Sequence, residues 1–266
     1  DLWNGVKTVG STSVEVQYSG EKLADHSTYF WKVRIWDRRD RPSSWSEIQS
    51  FKTGVLKDYE TTGNRFTVTL IRPEKLVRTG VNSYFADFGK DVFGTLVLET
   101  ETEIKDTIFV HLGEKTGGLN RIDRNPEGTI RYQRILLPVG PGKTKYVTAI
   151  PADARNTGQA AVHLPDSFGV ITPFRYCELE NCNIELNPEN IRQKAYWHYF
   201  KDENSAFISS DTVLNKIWEI SKYTIKATSF AGLYIDGDRE RIPYEADAYI
   251  NQLGHYTAER FDAQRS

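Results

Sequence analysis

Alternation of apolar and polar positions fills most of this chain and gives way to helical spacing near its end. Residues 14–18 (Val-Glu-Val-Gln-Tyr) alternate, and Ser19, Gly20 and Glu21 follow as a turn. Residues 29–37 (Tyr-Phe-Trp-Lys-Val-Arg-Ile-Trp-Asp) alternate over nine positions, which predicts a half-buried strand. A polar turn containing Pro42 comes next, and residues 45–51 lead out to Thr53 and Gly54. Residues 55 to about 195 carry further short strands between turn signals. Segments 87–96, 107–112 and 145–150 are the clearest, and their regular spacing predicts a second β-sandwich.

The period changes at Ser209-Ser210-Asp211. Asp211 or Ser210 can cap a helix in which Leu214, Ile217, Trp218 and Ile225 fall near helical spacing. A second helical stretch runs from about Glu245 to Glu259. Helices this apolar need a partner layer, so a helical domain is expected to begin here and to continue beyond Ser266.

Composition narrows the function. A formal net charge of −2 provides no basic excess for nucleic acid phosphates. No stretch approaches the roughly 18–20 apolar residues of a membrane helix. Cys177 and Cys182 have no histidine at zinc-ligand spacing, so no metal is expected, and two buried thiols are favoured over a disulfide. No phosphate loop, nucleophile elbow or dinucleotide fingerprint is present, and no organic cofactor is expected.

The chemically informative stretch is residues 236–247, Asp-Gly-Asp-Arg-Glu-Arg-Ile-Pro-Tyr-Glu-Ala-Asp, with five carboxylates and two arginines in twelve residues. Gly237 and Pro243 make its first half a loop. Glycoside hydrolysis needs one carboxylic acid to protonate the leaving oxygen and a second carboxylate to activate water or attack carbon. Crowded acids raise one another's pKa, and interspersed arginines hold others ionised. Charge pattern alone favours a solvated loop, with Glu245 and Asp247 favouring the start of the next helix. Tyr234, Ile235, Ile242 and Tyr244 argue against that reading, since a solvated loop does not need them.

The same stretch resembles the signature of bacterial glycoside hydrolase family 78 α-L-rhamnosidases, an aspartate followed by Arg-Glu-Arg and then an Ala-Asp pair. Residues 84–95, 111–114 and 126–132 resemble the β-sandwich module that precedes that family's catalytic domain. Pro173-Phe174-Arg175-Tyr176 and residues 207–211 lead into the helices as they do there. Residues 28–54 resemble the last strands of a fibronectin type III sandwich; they are too few for about seven strands, so the chain is expected to begin inside that domain.

The resemblance implies a multidomain protein of β-sandwich modules followed by the start of an (α/α)6 barrel. Residues 1–54 would be the C-terminal part of a fibronectin type III-like sandwich, 55–200 a jelly-roll-like sandwich, and 201–266 the first barrel helices. It implies removal of terminal α-L-rhamnose from a glycan or glycoside with inversion. Glu240 would be the general acid. Asp236 and Asp247 would bind rhamnose hydroxyls, and Arg239 would hold Glu240 or touch the sugar. The first role belongs to Asp236 or Asp238, because the spacing to the glutamate is one residue shorter than in many members. The general base is implied to be a glutamate downstream of Ser266, and a periplasmic or secreted location fits.

His255, His111 and His163 read as structural, Glu114 as a structural hydrogen-bonding group. Trp31, Trp36 and Trp45 read as sandwich core or interface rather than sugar platforms. The alternatives are a carbohydrate-binding β-sandwich protein without catalysis, and a barrel glycosidase for another sugar.

Overall fold

The computed structural model describes residues 2–5, 7, 18–53, 66–164, 168–198, 200–230 and 232–259. The chain divides into two units, residues 1–60 and 61–266. In the first, β1 (Thr28–Trp31) pairs antiparallel with β2 (Gln49–Lys52), and Tyr29 stacks on Phe51 with ring centroids 5.6 Å apart.

The nine-residue strand expected over 29–37 is thus cut to its first part. Serine hydroxyls explain the cut. The N–H groups of Val33 and Ile35 donate to the side chains of Ser46 and Ser43 at 3.0 and 3.1 Å, so the ladder is interrupted although the backbone stays extended. The strand is also not half-buried: Phe30 and Ile35 are 71% and 74% exposed, because no opposing sheet covers them among the described residues. Trp36 and Trp45 flank the Arg34 guanidinium at 4.9 and 4.6 Å. The alternating stretch 14–18 lies, but for Tyr18, outside the described residues.

The second unit is built on an eight-stranded antiparallel sheet of described residues. Its strands are β3 (Phe66–Ile71), β4 (Lys75–Gly80), β5 (Ser83–Thr102) and β6 (Asp106–Gly113). After a small hairpin of β7 (Thr116–Gly118) and β8 (Arg121–Ile122) come β9 (Tyr132–Val139), β10 (Gly142–Val147), β11 (Thr172–Glu180) and β12 (Ile191–His198). The order is β3-β12-β5-β11-β6-β9, with β4 and β10 also pairing with β5.

Twenty residues long, β5 serves two sets of partners: its first half pairs with β4 and β11, its second half with β12 and β10. Period-two patterning is clearest in β9, where Ile135, Leu137 and Val139 point into the core and Arg134, Leu136 and Pro138 point out. The core gathers Phe88, Leu96, Leu98, Val110, Leu112 and Phe174 with the free, buried thiols of Cys177 and Cys182. This mostly-sheet chain fits β-sandwich modules.

Between β10 and β11, Asp153 caps the short helix α1 (Ala154–Thr157). Helix α2 (Thr212–Thr228) begins at Asp211, whose carboxylate accepts from Val213 N–H at 2.8 Å. A turn between β13 (Ser229–Phe230) and β14 (Leu233–Tyr234) leads to the acid-rich loop, and α3 (Glu245–Ala258) follows it. At Gly254 in α3, an added Cβ would stand 2.9 Å from Ile225 Cδ1 of α2, so glycine permits the close approach of the two helices. Leu214 and Ile217 of α2 and Ile250 and Leu253 of α3 are exposed.

Candidate active site

The candidate residues lie on the loop between β14 and α3. Asp236 N–H donates to Ile242 carbonyl at 3.3 Å, and Ile242 N–H returns to Asp236 Oδ1 at 3.2 Å, which clasps the loop at its neck. Within the clasp, Gly237 sits at φ +115° in open space, a conformation that favours glycine. Arg241 adopts φ +55°, an uncommon left-handed value that needs outside support in a long side chain.

Support comes from beneath. The Asp238 side chain is 5% exposed and lies among arginines. Arg241 donates Nε and Nη2 to Asp238 Oδ1 at 2.9 and 2.6 Å, and its Nη2 also reaches the Ile171 carbonyl at 2.8 Å. The Arg241 guanidinium lies 5.0 Å from the Phe93 ring centre. Burial pulls the Arg241 pKa down, and Asp238 opposes that pull. From its place just before β9, Arg131 donates Nε to Asp238 Oδ2 at 2.6 Å and Nη1 to Asp153. Burial pushes the Asp153 carboxyl up, but Arg131 outweighs it and holds the group below its ordinary value. A depression of about 340 Å³ beside this cluster is lined by Ile130, Arg131, Tyr132, Asp153, Ala154 and Arg155.

Above the anchor, Glu240 keeps 39% of its side chain exposed. The Tyr244 hydroxyl donates to Glu240 Oε2, and that bond raises the Tyr244 pKa. Arg239 Nη2 stands 3.3 Å from Asp236 Oδ2 and 3.5 Å from Glu240 Oε2, so one guanidinium links two acids. Asp236 is nearly covered, its side chain 8% exposed. The structure therefore brings Asp236, Arg239 and Glu240 together and draws Asp238 into the arginine cluster. Asp247 lies exposed in the first turn of α3.

Among the described residues no cluster of histidine, cysteine, aspartate and glutamate could hold a metal ion, and no helix is long and apolar enough to cross a membrane. His255 is fully buried, bonded through Nδ1 to the Tyr234 hydroxyl at 2.6 Å and stacked on Phe200. His111 bonds Tyr132 at 2.7 Å, and the Glu114 carboxylate accepts from Arg131 N–H.

Arg131, Asp153 and Asp91 were not singled out by sequence. Asp91 sits in β5 beneath the cluster; burial, then the neighbouring Glu114 carboxyl, pushes its pKa up to about 9. The only local signal for Arg131 is a charge between the apolar residues Ile130 and Tyr132.

Comparison with known proteins gives matches at both ends. Residues 1–57 match a Rha78A-like, N-terminal immunoglobulin domain, and residues 202–264 a bacterial α-L-rhamnosidase 6 hairpin glycosidase domain. An α-L-rhamnosidase of Formosa agariphila is 41% identical over 58 residues, 22% of this chain and 6% of that protein. One from Streptomyces avermitilis is 39% identical over 56 residues, 21% of this chain and 5% of that protein. The chain thus spans only about a twentieth of the length of the curated relatives it matches.

Among solved structures, α-L-rhamnosidase from Dictyoglumus thermophilum superposes with a TM-score of 0.55 at 18% identity, covering 72% of this chain and 20% of that one. A rhamnosidase from Klebsiella oxytoca with rhamnose bound gives 0.51 at 15%, covering 76% and 43%. At such identities these two carry the fold alone. Its sheet-rich architecture and the domain matches at its two ends make this a chain that resembles the bacterial family 78 α-L-rhamnosidases.

Proposed function

We propose that this chain serves an exo-acting α-L-rhamnosidase, a glycoside hydrolase that removes terminal rhamnose with inversion, and that Glu240 is its general acid. One observation carries the reading: within the stretch that matches the six-hairpin glycosidase domain, Glu240 is a half-exposed carboxyl on a loop anchored by buried ion pairs. A general acid must meet the leaving oxygen and still be held in place, and an anchored loop serves both needs.

In this mechanism Glu240 protonates the glycosidic oxygen. Asp236 and Asp247 bind the rhamnose hydroxyls and steady the developing oxocarbenium charge. Arg239, bridging Asp236 and Glu240, fixes the acid or touches the sugar. Asp238 is a candidate for the first aspartate role, but Arg131 and Arg241 hold its oxygens at 2.6–2.9 Å. Asp236 accepts longer bonds of 3.2 and 3.3 Å from Ile242 N–H and the exposed Arg239, which favours Asp236 for the sugar and Asp238 as the anchor. Inversion needs a second carboxylate roughly 6.5–9.5 Å away to activate water; that base falls to a glutamate of the helical barrel outside this loop. Helices α2 and α3, packed together with apolar residues still exposed, are read as the first helices of an (α/α)6 barrel over 201–266. Residues 55–200 are read as a jelly-roll-like module, and 1–54 as part of a fibronectin type III-like sandwich. The partner is a rhamnose-containing glycan or glycoside.

The test is a panel of aryl glycosides offered to the intact protein that carries this sequence. Cleavage of the α-L-rhamnoside alone supports the reading. Cleavage of a different sugar would make it another barrel glycosidase, and sugar binding without turnover of any substrate would leave a binding module.

A further inference from the structure

We propose that Arg131 of the β-sandwich module is a positioning residue for Glu240, holding the acid-bearing loop through Asp238; the role in catalysis rests on the functional reading above. Arg131 and Asp238 are 107 positions apart in sequence, and both side chains are more than nine-tenths buried where they meet.

Tyr244 and Arg239 hold Glu240 from within the segment, but both are exposed groups that move with it. The buried bonds of the turn, apart from the clasp between Asp236 and Ile242, converge on Asp238, two residues before Glu240. The Arg241–Asp238 pair ties the loop to itself, across three residues. Attachment to the sheet needs a group from outside. Arg241 supplies one link through the Ile171 carbonyl, and Val162 N–H donates to the Arg241 carbonyl at 2.9 Å. Arg131 supplies the hydrogen-bonded charged link, reaching Asp238 itself at 2.6 Å, while Arg155 Nη1 stands farther off at 3.6 Å.

Arg131 is in turn held at three points. Asp153, the cap of α1, accepts from Nη1. Its backbone N–H donates to the Glu114 carboxylate, and its carbonyl accepts from Glu114 N–H at 3.2 Å. The guanidinium is therefore fixed before it meets Asp238, and a planar fork of this kind binds two carboxylates in one geometry, which a lysine cannot. Its Nη2 is buried and has no hydrogen-bond partner among the described residues. A buried donor left unpaired costs stability, and such costs are retained where geometry serves a function. Misplacing a reacting group by about 1 Å costs on the order of a hundredfold in rate, so an anchor two residues from the acid governs turnover.

The experiment compares Arg131→Gln, Arg131→Lys and Asp238→Asn in the intact protein, using an alkyl α-L-rhamnoside and amide hydrogen exchange. Arg124→Gln is the control, since Arg124 pairs with Glu178 and Glu180 in the same module without contacting the loop. Arg131→Gln is expected to lower kcat by roughly 10–100-fold with KM moved by less than about threefold. Exchange should accelerate across residues 236–242 while β5 and β6 keep their protection. Arg131→Lys recovers part of kcat, and adding Asp238→Asn to Arg131→Gln costs little more than either alone.

Wild-type kcat and loop protection in Arg131→Gln would overturn the proposal. So would an equal loss in Arg124→Gln, or a uniform loss of protection across the sheet. If the wild-type protein cleaves no rhamnoside, the functional reading falls, while loop exchange in Arg131→Gln still decides whether Arg131 positions the loop.

Discussion

The Tyr234 hydroxyl and His255 Nδ1 meet at 2.6 Å with both side chains buried, joining the strand before the acid-rich loop to the helix after it. The strand that leads into the loop is thus tied to the last turn of α3. Replacing Tyr234 with phenylalanine keeps the ring and deprives the buried imidazole nitrogen of this partner. The expected loss is about 1–3 kcal/mol, the cost of stranding a buried polar group. Denaturant unfolding followed by the fluorescence of Trp218 and its neighbours would measure it; an unchanged midpoint would contradict the account.

Glycine at position 94 is required by the backbone of a neighbouring strand. An added Cβ there would collide with the Lys194 carbonyl, where β5 pairs with β12. Gly94→Ala should destabilise the sheet by about 1–3 kcal/mol through overpacking, read as a lower thermal midpoint. A neutral substitution would mean that the two strands separate more easily than the pairing implies.

Asp91 makes stability depend on pH in an unusual direction for a carboxylate. Its folded pKa is about 9, against 3.8 for the ordinary group. Between those values the folded protein keeps a proton that the unfolded chain releases, so stability falls as pH rises through that window. Below about pH 4 both states are protonated and the effect vanishes. Asp91→Asn removes the titration. Its gain in unfolding midpoint should be larger at pH 8 than at pH 4, giving a flatter pH profile. Equal gains at both pH values would show that Asp91 does not hold the proton.

The parts of this fold that are legible in the sequence depend on local pattern. The β-branched and aromatic run at residues 107–112 places β6, and Asp211 marks the start of α2 by the oxygen it offers to Val213 N–H. Alternation misleads at 29–37, because Ser43 and Ser46 lie outside the pattern yet take the N–H groups of Ile35 and Val33. Within 236–247, residue type identifies the carboxylates but cannot sort them. Asp236, Asp238 and Glu240 have one chemistry, and their difference lies in what folds beneath them. Arg131 reaches Asp238 across 107 positions from the segment leading into β9, so no spacing along the chain announces the pair. The buried carboxyl of Asp91 is hidden for the same reason: its acidity is set by burial and by Glu114, not by its neighbours in sequence.

The role proposed for Glu240 is delivery of the proton to the departing oxygen. The measurement is the ratio of kcat/KM for wild type and Glu240→Gln on two α-L-rhamnosides, one with an alkyl leaving group and one with an activated aryl group. A general acid matters when the leaving group needs a proton, so the alkyl substrate should lose on the order of 10²–10⁴-fold and the aryl substrate much less. An equal loss on both, or no loss on either, would contradict the assignment of Glu240 as the acid.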